Sequence, residues 1–159
     1  MAWRLAGRLA ATRTRLVLAE SCTGGLASAS LSAVAGISEW HCGSAVTYRE
    51  RTKVEWLGVS DADLARETAV SRVVASQMAL GVLARTPEAA VAVAITGHLG
   101  PGAPAGFDGR VFLAVARRSR GATVCERVTG HTLAEKDRVP RQREAAALLL
   151  REALDALPV

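Results

Sequence analysis

Ser21 stands in the string Ala19-Glu20-Ser21-Cys22-Thr23-Gly24-Gly25, between the apolar run Leu16 to Ala19 and a pair of glycines. A strand that turns into a helix here leaves the first helical N–H groups without intrahelical acceptors. The helix dipole adds partial positive charge, so a phosphate or an oxyanion is favoured at that point. Gly24 and Gly25 allow a ligand to approach the backbone, and Glu20 and Thr23 flank the same turn. The competing reading makes Ser21 or Thr23 an N-cap only. Cys22 is a second nucleophile by type, although a cysteine beside a core strand is commonly inert packing.

Tyr48 and Lys53 form a second cluster. Lysine is scarce: Lys53 and Lys136 are the only two among 20 basic Lys and Arg side chains. Arginine keeps its proton, whereas a buried lysine has a lowered pKa and can take the proton of a serine hydroxyl. A solvent-exposed lysine on a short amphipathic helix is the alternative, and a core tyrosine is the alternative for Tyr48. His98 lies in a Gly- and Pro-rich stretch, Gly97 to Gly109, and lacks a second His or carboxylate at metal-ligand spacing. It is either a turn-capping residue or part of a substrate-facing loop together with Thr96 and Gly97. Gly97-His98-Leu99-Gly100-Pro101-Gly102 does not match the dinucleotide fingerprint. Arg138, Arg141 and Arg143, near the start of the last helix, form either a phosphate site or a solvated basic face. None of these groups calls for a metal or a cofactor.

The elements that position them follow from hydrophobic periodicity. Trp3, Leu5, Ala6 and Leu9 make a short helical stripe, Leu16 to Ala19 a buried strand ending at Glu20, and Leu26 to Val34 a helix stopped by Gly36. Ser44 to Tyr48 reads as a second strand, and Glu50 to Leu57 as a short helix closed by Gly58. Ser60 and Asp61 cap a further turn, and Ser71 opens a helix to about Arg85, before Pro87. Ala89 to Thr96 is the most apolar strand and belongs in the middle of the sheet. Strands over Arg110 to Ala116 and Thr123 to Thr129 precede a terminal helix over Val139 to Leu157, with Pro140 in its first turn. The alternation predicts one domain over residues 1–159, a three-layer α/β/α sandwich, with sites at strand ends.

Composition narrows the function classes. Half of the 159 residues are hydrophobic and 22% are charged, a globular balance with no stretch long enough to cross a membrane. Arg4, Arg8, Arg13 and Arg15 interrupt any secretory apolar run. Cys22, Cys42 and Cys125 are odd in number and far apart, which points to a reducing cytoplasm. The net charge of +5 suggests an anionic partner, but the basic residues spread from Arg4 to Arg151 with acids among them. Their dense groups are Arg117-Arg118-Arg120 and Arg138-Arg141-Arg143, and few aromatics are available for stacking. Nucleic acid is therefore disfavoured, and a phosphate-bearing small molecule is the sharper expectation.

Taken together, the sequence resembles the CinA C-terminal domain family. The resemblance rests on Ala19 to Gly25, Val46-Thr47-Tyr48 with Lys53 five residues on, Leu57-Gly58-Val59, Ala69-Val70-Ser71, and Ala94-Ile95-Thr96-Gly97 leading to Gly100-Pro101. It implies an α/β/α fold, homodimers, and, as in the amidase members, hydrolysis of nicotinamide mononucleotide to nicotinic acid mononucleotide and ammonia without a cofactor. It also implies roles: Ser21 as nucleophile, Lys53 as general base, Tyr48 as its orienting or proton-relaying partner. N–H groups near Thr23 to Gly25 would meet the oxyanion, the Thr96-Gly97 loop would line the substrate, and Glu20 would anchor the turn rather than react. The sequence departs from the family between Tyr48 and Lys53, where Arg49-Glu50-Arg51-Thr52 replaces the usual Ser-Asn-Glu-Ala. It departs again over Gly97 to Val111.

Overall fold

The structure is a computed structural model that describes residues 1–119 and 121–158; Arg120, grouped above with Arg117 and Arg118, lies outside them. Five strands form one mixed sheet in the order β2-β1-β3-β4-β5. They are β1 (Leu16–Glu20), β2 (His41–Val46), β3 (Val91–Gly97), β4 (Arg110–Ser119) and β5 (Ala122–Thr132). β1 runs parallel to both β2 and β3, while β4 is antiparallel to β3 and to β5. The most apolar segment, β3, takes the central position that its composition predicts.

Period-two alternation sends side chains of each inner strand to opposite faces, and the two faces differ in size. Leu16, Leu18, Val93, Ile95 and Leu113 pack on one face under α1 (Ala2–Thr12), α2 (Leu26–Ser32) and α6 (Arg138–Asp155). On the other face stand Val17, Ala19, Ala92, Ala94, Ala114 and Ala116, all buried. The small alanines let α5 (Arg72–Ala84) lie close over the sheet, flanked by α3 (Glu50–Leu57) and α4 (Asp61–Glu67). Ser60 and Ser71 cap α4 and α5 through the N–H groups of Asp63 and Val74, as their types predict.

α5 also fixes where α3 ends. A Cβ built on Gly81 would stand 1.9 Å from the Leu57 carbonyl oxygen, a backbone atom with no room to yield. Gly81→Ala is expected to destabilise the domain by about 1–3 kcal/mol or more, measured as a lowered denaturant midpoint, because it forces α3 off α5.

The second strand differs from expectation. It begins at His41 and stops at Val46, so Thr47 and Tyr48 follow the strand instead of ending it. β2 is an edge strand whose residues are only half-buried, and its limits are set by pairing with β1, from Leu16 opposite His41 to Glu20 opposite Val46. Its apolar content carries little of that information. β4 and β5 also extend beyond the predicted segments, because a long antiparallel hairpin keeps pairing where its side chains are only half-buried or exposed. Among the described residues, no helix is long and apolar enough to cross a membrane.

Candidate active site

Parallel pairing brings the C-terminal ends of β1, β2 and β3 to one edge of the sheet, the place where α/β folds hold ligands. The Ser21 N–H donates to the Ile95 carbonyl at 3.1 Å, and the Thr47 N–H donates to the Glu20 carbonyl at 2.8 Å. Ser21, Thr47 and Thr96 thus stand side by side. α3 starts three residues after Thr47 and turns Lys53 back toward that edge, where its side chain is 1% exposed.

The Lys53 ammonium donates to Ser21 Oγ at 2.9 Å and to the Thr47 carbonyl oxygen at 2.7 Å. Burial pushes the Lys53 pKa down to about 8, against the opposing pull of Cys22 and Glu50. A neutral amine reverses the first bond: Nζ accepts, and the Ser21 hydroxyl donates. That arrangement can withdraw a proton from a serine as it attacks a carbonyl carbon. Burial raises the Cys22 thiol to about 12, so it remains protonated and is no rival nucleophile.

Around this pair lies a cleft of about 260 Å³ whose lining includes Tyr48, Thr96, Gly97, His98 and Arg138. Thr96 is buried and donates through Oγ1 to the Ala69 carbonyl at 2.7 Å, pinning the β3 end to the α4–α5 connection. Gly97 has no room for a side chain, since a Cβ would meet Val111 Cγ1 at 2.5 Å. His98 meets Phe107 edge-on, with ring centres 6.0 Å apart. Among the described residues, no group of three or more His, Cys, Asp or Glu side chains is placed to hold a metal ion.

Several expected site residues lie elsewhere. Glu20 is fully buried, and its carboxylate accepts from the N–H groups of Gly25, Ala27 and Ser28 and from Ser44 Oγ. The start of α2, expected to receive a substrate oxyanion, is therefore occupied by the protein's own carboxylate. Gly24 donates to the Ser21 carbonyl, and Thr23 is fully buried with its carbonyl accepting from Gln142 Nε2. The φ values of +62° at Gly24 and +96° at Gly25 show what these glycines are for: the turn that folds Glu20 inward.

The three arginines separate by helical geometry. Arg138 lines the cleft and donates to Tyr48 Oη at 2.8 Å and to the Gly100 carbonyl. Arg141 is buried and grips Asp108 with two bonds of 2.7 and 2.8 Å, while donating to the Glu135 and Leu99 carbonyls. It holds the Gly97–Gly109 loop in place and offers nothing to a phosphate. Arg143 projects away from the cleft, beside Met1 and Ala2. At about 100° per residue, position 143 faces roughly 140° away from position 138. Tyr48 is 55% exposed and its hydroxyl bonds Arg138, so it forms the cleft rim. The orienting partner of Lys53 is instead the Thr47 carbonyl, a backbone group that no residue type announces.

The sequence model of the CinA C-terminal domain matches residues 1–154. The chain belongs to the CinA C-terminal domain family. A CinA-like protein of Myxococcus xanthus is 40% identical over 146 residues, which cover 90% of this chain and 34% of that protein. Protein YdeJ of Escherichia coli is 41% identical over 107 residues, 64% of this chain and 62% of YdeJ. Among solved structures, a CinA superfamily protein from Escherichia coli superposes with a TM-score of 0.86 at 33% identity, over 98% of this chain and 88% of that one. The Agrobacterium tumefaciens competence/damage inducible protein CihA gives 0.86 at 33% identity, over 97% and 93%. The chain spans about a third of the length of the CinA-like proteins of Myxococcus and Anaeromyxobacter that it matches. Ser21, Lys53 and Arg138 all fall within the part that matches the CinA C-terminal domain.

Proposed function

We propose that this CinA-family domain is an amidohydrolase of the nicotinamide-nucleotide type, converting nicotinamide mononucleotide to nicotinic acid mononucleotide and ammonia. The observation that carries the reading is the buried contact between Lys53 Nζ and Ser21 Oγ at 2.9 Å, in a cleft at the strand ends. Neutral Lys53 takes the hydroxyl proton as Ser21 Oγ attacks the amide carbon. It returns that proton to nitrogen as the C–N bond breaks and ammonia leaves. Water then attacks the seryl ester, Lys53 accepts its proton and passes it to Ser21 Oγ as the ester C–O bond breaks, and the acid product departs and ionises to the carboxylate in solvent. Arg138 is the cation in the cleft for the phosphate, and Tyr48 fixes it from the rim. Cytoplasmic action, suggested by the odd and widely spaced cysteines, and a homodimer, implied by the family resemblance, belong to the same proposal.

The test is ammonia release from nicotinamide mononucleotide by the purified protein. Catalytic turnover is expected. Saturable binding of the nucleotide without ammonia release would overturn the hydrolase and favour a non-catalytic nucleotide-binding domain.

A further inference from the structure

A second recess, of about 220 Å³, opens beside the catalytic cleft and is lined by Glu50, Thr68, Ala69, His98, Pro104 and Phe107. It shares Glu50, Ala69 and His98 with the cleft that contains Ser21 and Lys53, so the two cavities adjoin. Its wall is held from both sides. The Ala69 carbonyl accepts from Thr96 Oγ1, and Thr68 is fixed at a φ of +68° by its N–H bond to the Leu64 carbonyl and by the Ser71 hydroxyl on its own carbonyl. A preformed recess of this kind orders little on binding.

Glu50 is the one acidic side chain among the described residues that line either cavity. Among the described residues it forms no ion pair, and its carboxylate accepts no hydrogen bond, unlike Glu20, Glu55 and Asp108. Its position in the first turn of α3 places it one turn before Lys53, the base at the reacting centre. The Phe107 ring, edge-on to His98, lines the same recess. An exposed carboxylate without a partner and a partly buried aromatic ring, both lining one recess, make a setting that attracts a flat cation and disfavours an anion. Arg138 supplies the opposite charge and lines only the larger cavity. The adjoining cavities thus carry opposite charges on their linings.

We propose that Glu50 and Phe107 form a charge-selecting subsite that takes a cationic planar ring of the substrate, with Glu50 as the residue that sets this specificity. The inference rests on the amidase reading and refines it: the favoured amide is one borne on a positively charged ring. A purely structural role for Glu50, as an acid at the start of α3, would affect all ligands alike.

The experiment uses nicotinamide mononucleotide and its dihydro form, which share the phosphate, ribose and amide and differ in the ring's positive charge. Ammonia release is measured with the wild type and with Glu50→Gln. Binding of both ligands is measured by calorimetry with Ser21→Ala and with Ser21→Ala/Glu50→Gln. Taking the ratio of the two ligands within one protein cancels any effect of the substitution on Lys53 or on folding. The expected preference for the cationic ring is about tenfold, the size of one solvent-accessible charge interaction with a cation–π contact, and Glu50→Gln brings it close to one. An unchanged ratio in Glu50→Gln, with the wild type still hydrolysing, overturns the subsite and leaves the amidase standing. Charge-dependent binding without hydrolysis by the wild type overturns the amidase and retains the subsite. Equal binding of both ligands, or binding of neither, overturns the subsite.

Discussion

Ser21→Ala is expected to lower ammonia release by about a thousandfold or more, the scale seen when the nucleophile of an acyl-transfer site is removed. The fold should be nearly unaffected. Ser21 is almost buried, but among the described residues its hydroxyl makes one hydrogen bond, with Lys53, which keeps the Thr47 carbonyl as an acceptor. A near-native melting temperature beside lost turnover is therefore the expected pair of results. Cys22→Ala is the control, because burial holds that thiol protonated, with its pKa at about 12. Loss of turnover in Cys22→Ala with full activity in Ser21→Ala would assign the chemistry to the wrong neighbour and sink the mechanism.

The Ser21–Lys53 contact was legible through the family resemblance, and each member also carries a local sign. Ser21 sits where an apolar strand meets two glycines, and Lys53 is one of two lysines in a chain that otherwise uses arginine. The layers were legible for a similar reason: from Val91 to Ile95 the β3 run has no polar residue to place on a solvent face, so it had to be central. What escaped is what depends on contacts across the chain. Whether the helix start after Gly25 is open or filled depends on the direction of the Glu20 side chain, and a strand-end carboxylate three N–H groups deep cannot be read from spacing. Arg138 and Arg141 differ by three positions on one helix, yet one lines the cleft and the other is buried against Asp108, a residue from a loop more than 30 positions away. The backbone carbonyl of Thr47 has no sequence signature at all. Glu50, likewise, looks like an ordinary helix-start acid until the recess beside it is seen.

Lys53 should reveal itself in two pH profiles with a common origin. Hydrolysis needs the neutral amine, so kcat/KM is expected to rise about tenfold per pH unit below the Lys53 pKa and to level off above about 8. Lys53→Met should remove both the activity and this limb. Stability follows from the same lowered proton affinity. In the unfolded chain the lysine keeps its ordinary pKa of 10.5, whereas in the folded domain burial lowers it to about 8. Between those values the unfolded state holds a proton that the folded state has released, so folding stability rises with pH across that window. Below it the charge is present in both states, and its burial costs the folded domain about 3 kcal/mol relative to high pH, at ~1.4 kcal/mol for each tenfold loss of proton affinity. Other groups also titrate in this range, and comparison with Lys53→Met subtracts them. The unfolding free energy of the wild type minus that of Lys53→Met should therefore climb from pH 8 to 10.5 and be flat below. A difference that is flat throughout would mean that Lys53 keeps its ordinary proton affinity in the fold and releases its proton only near pH 10.5, which removes the accessible neutral amine that the activation of Ser21 requires.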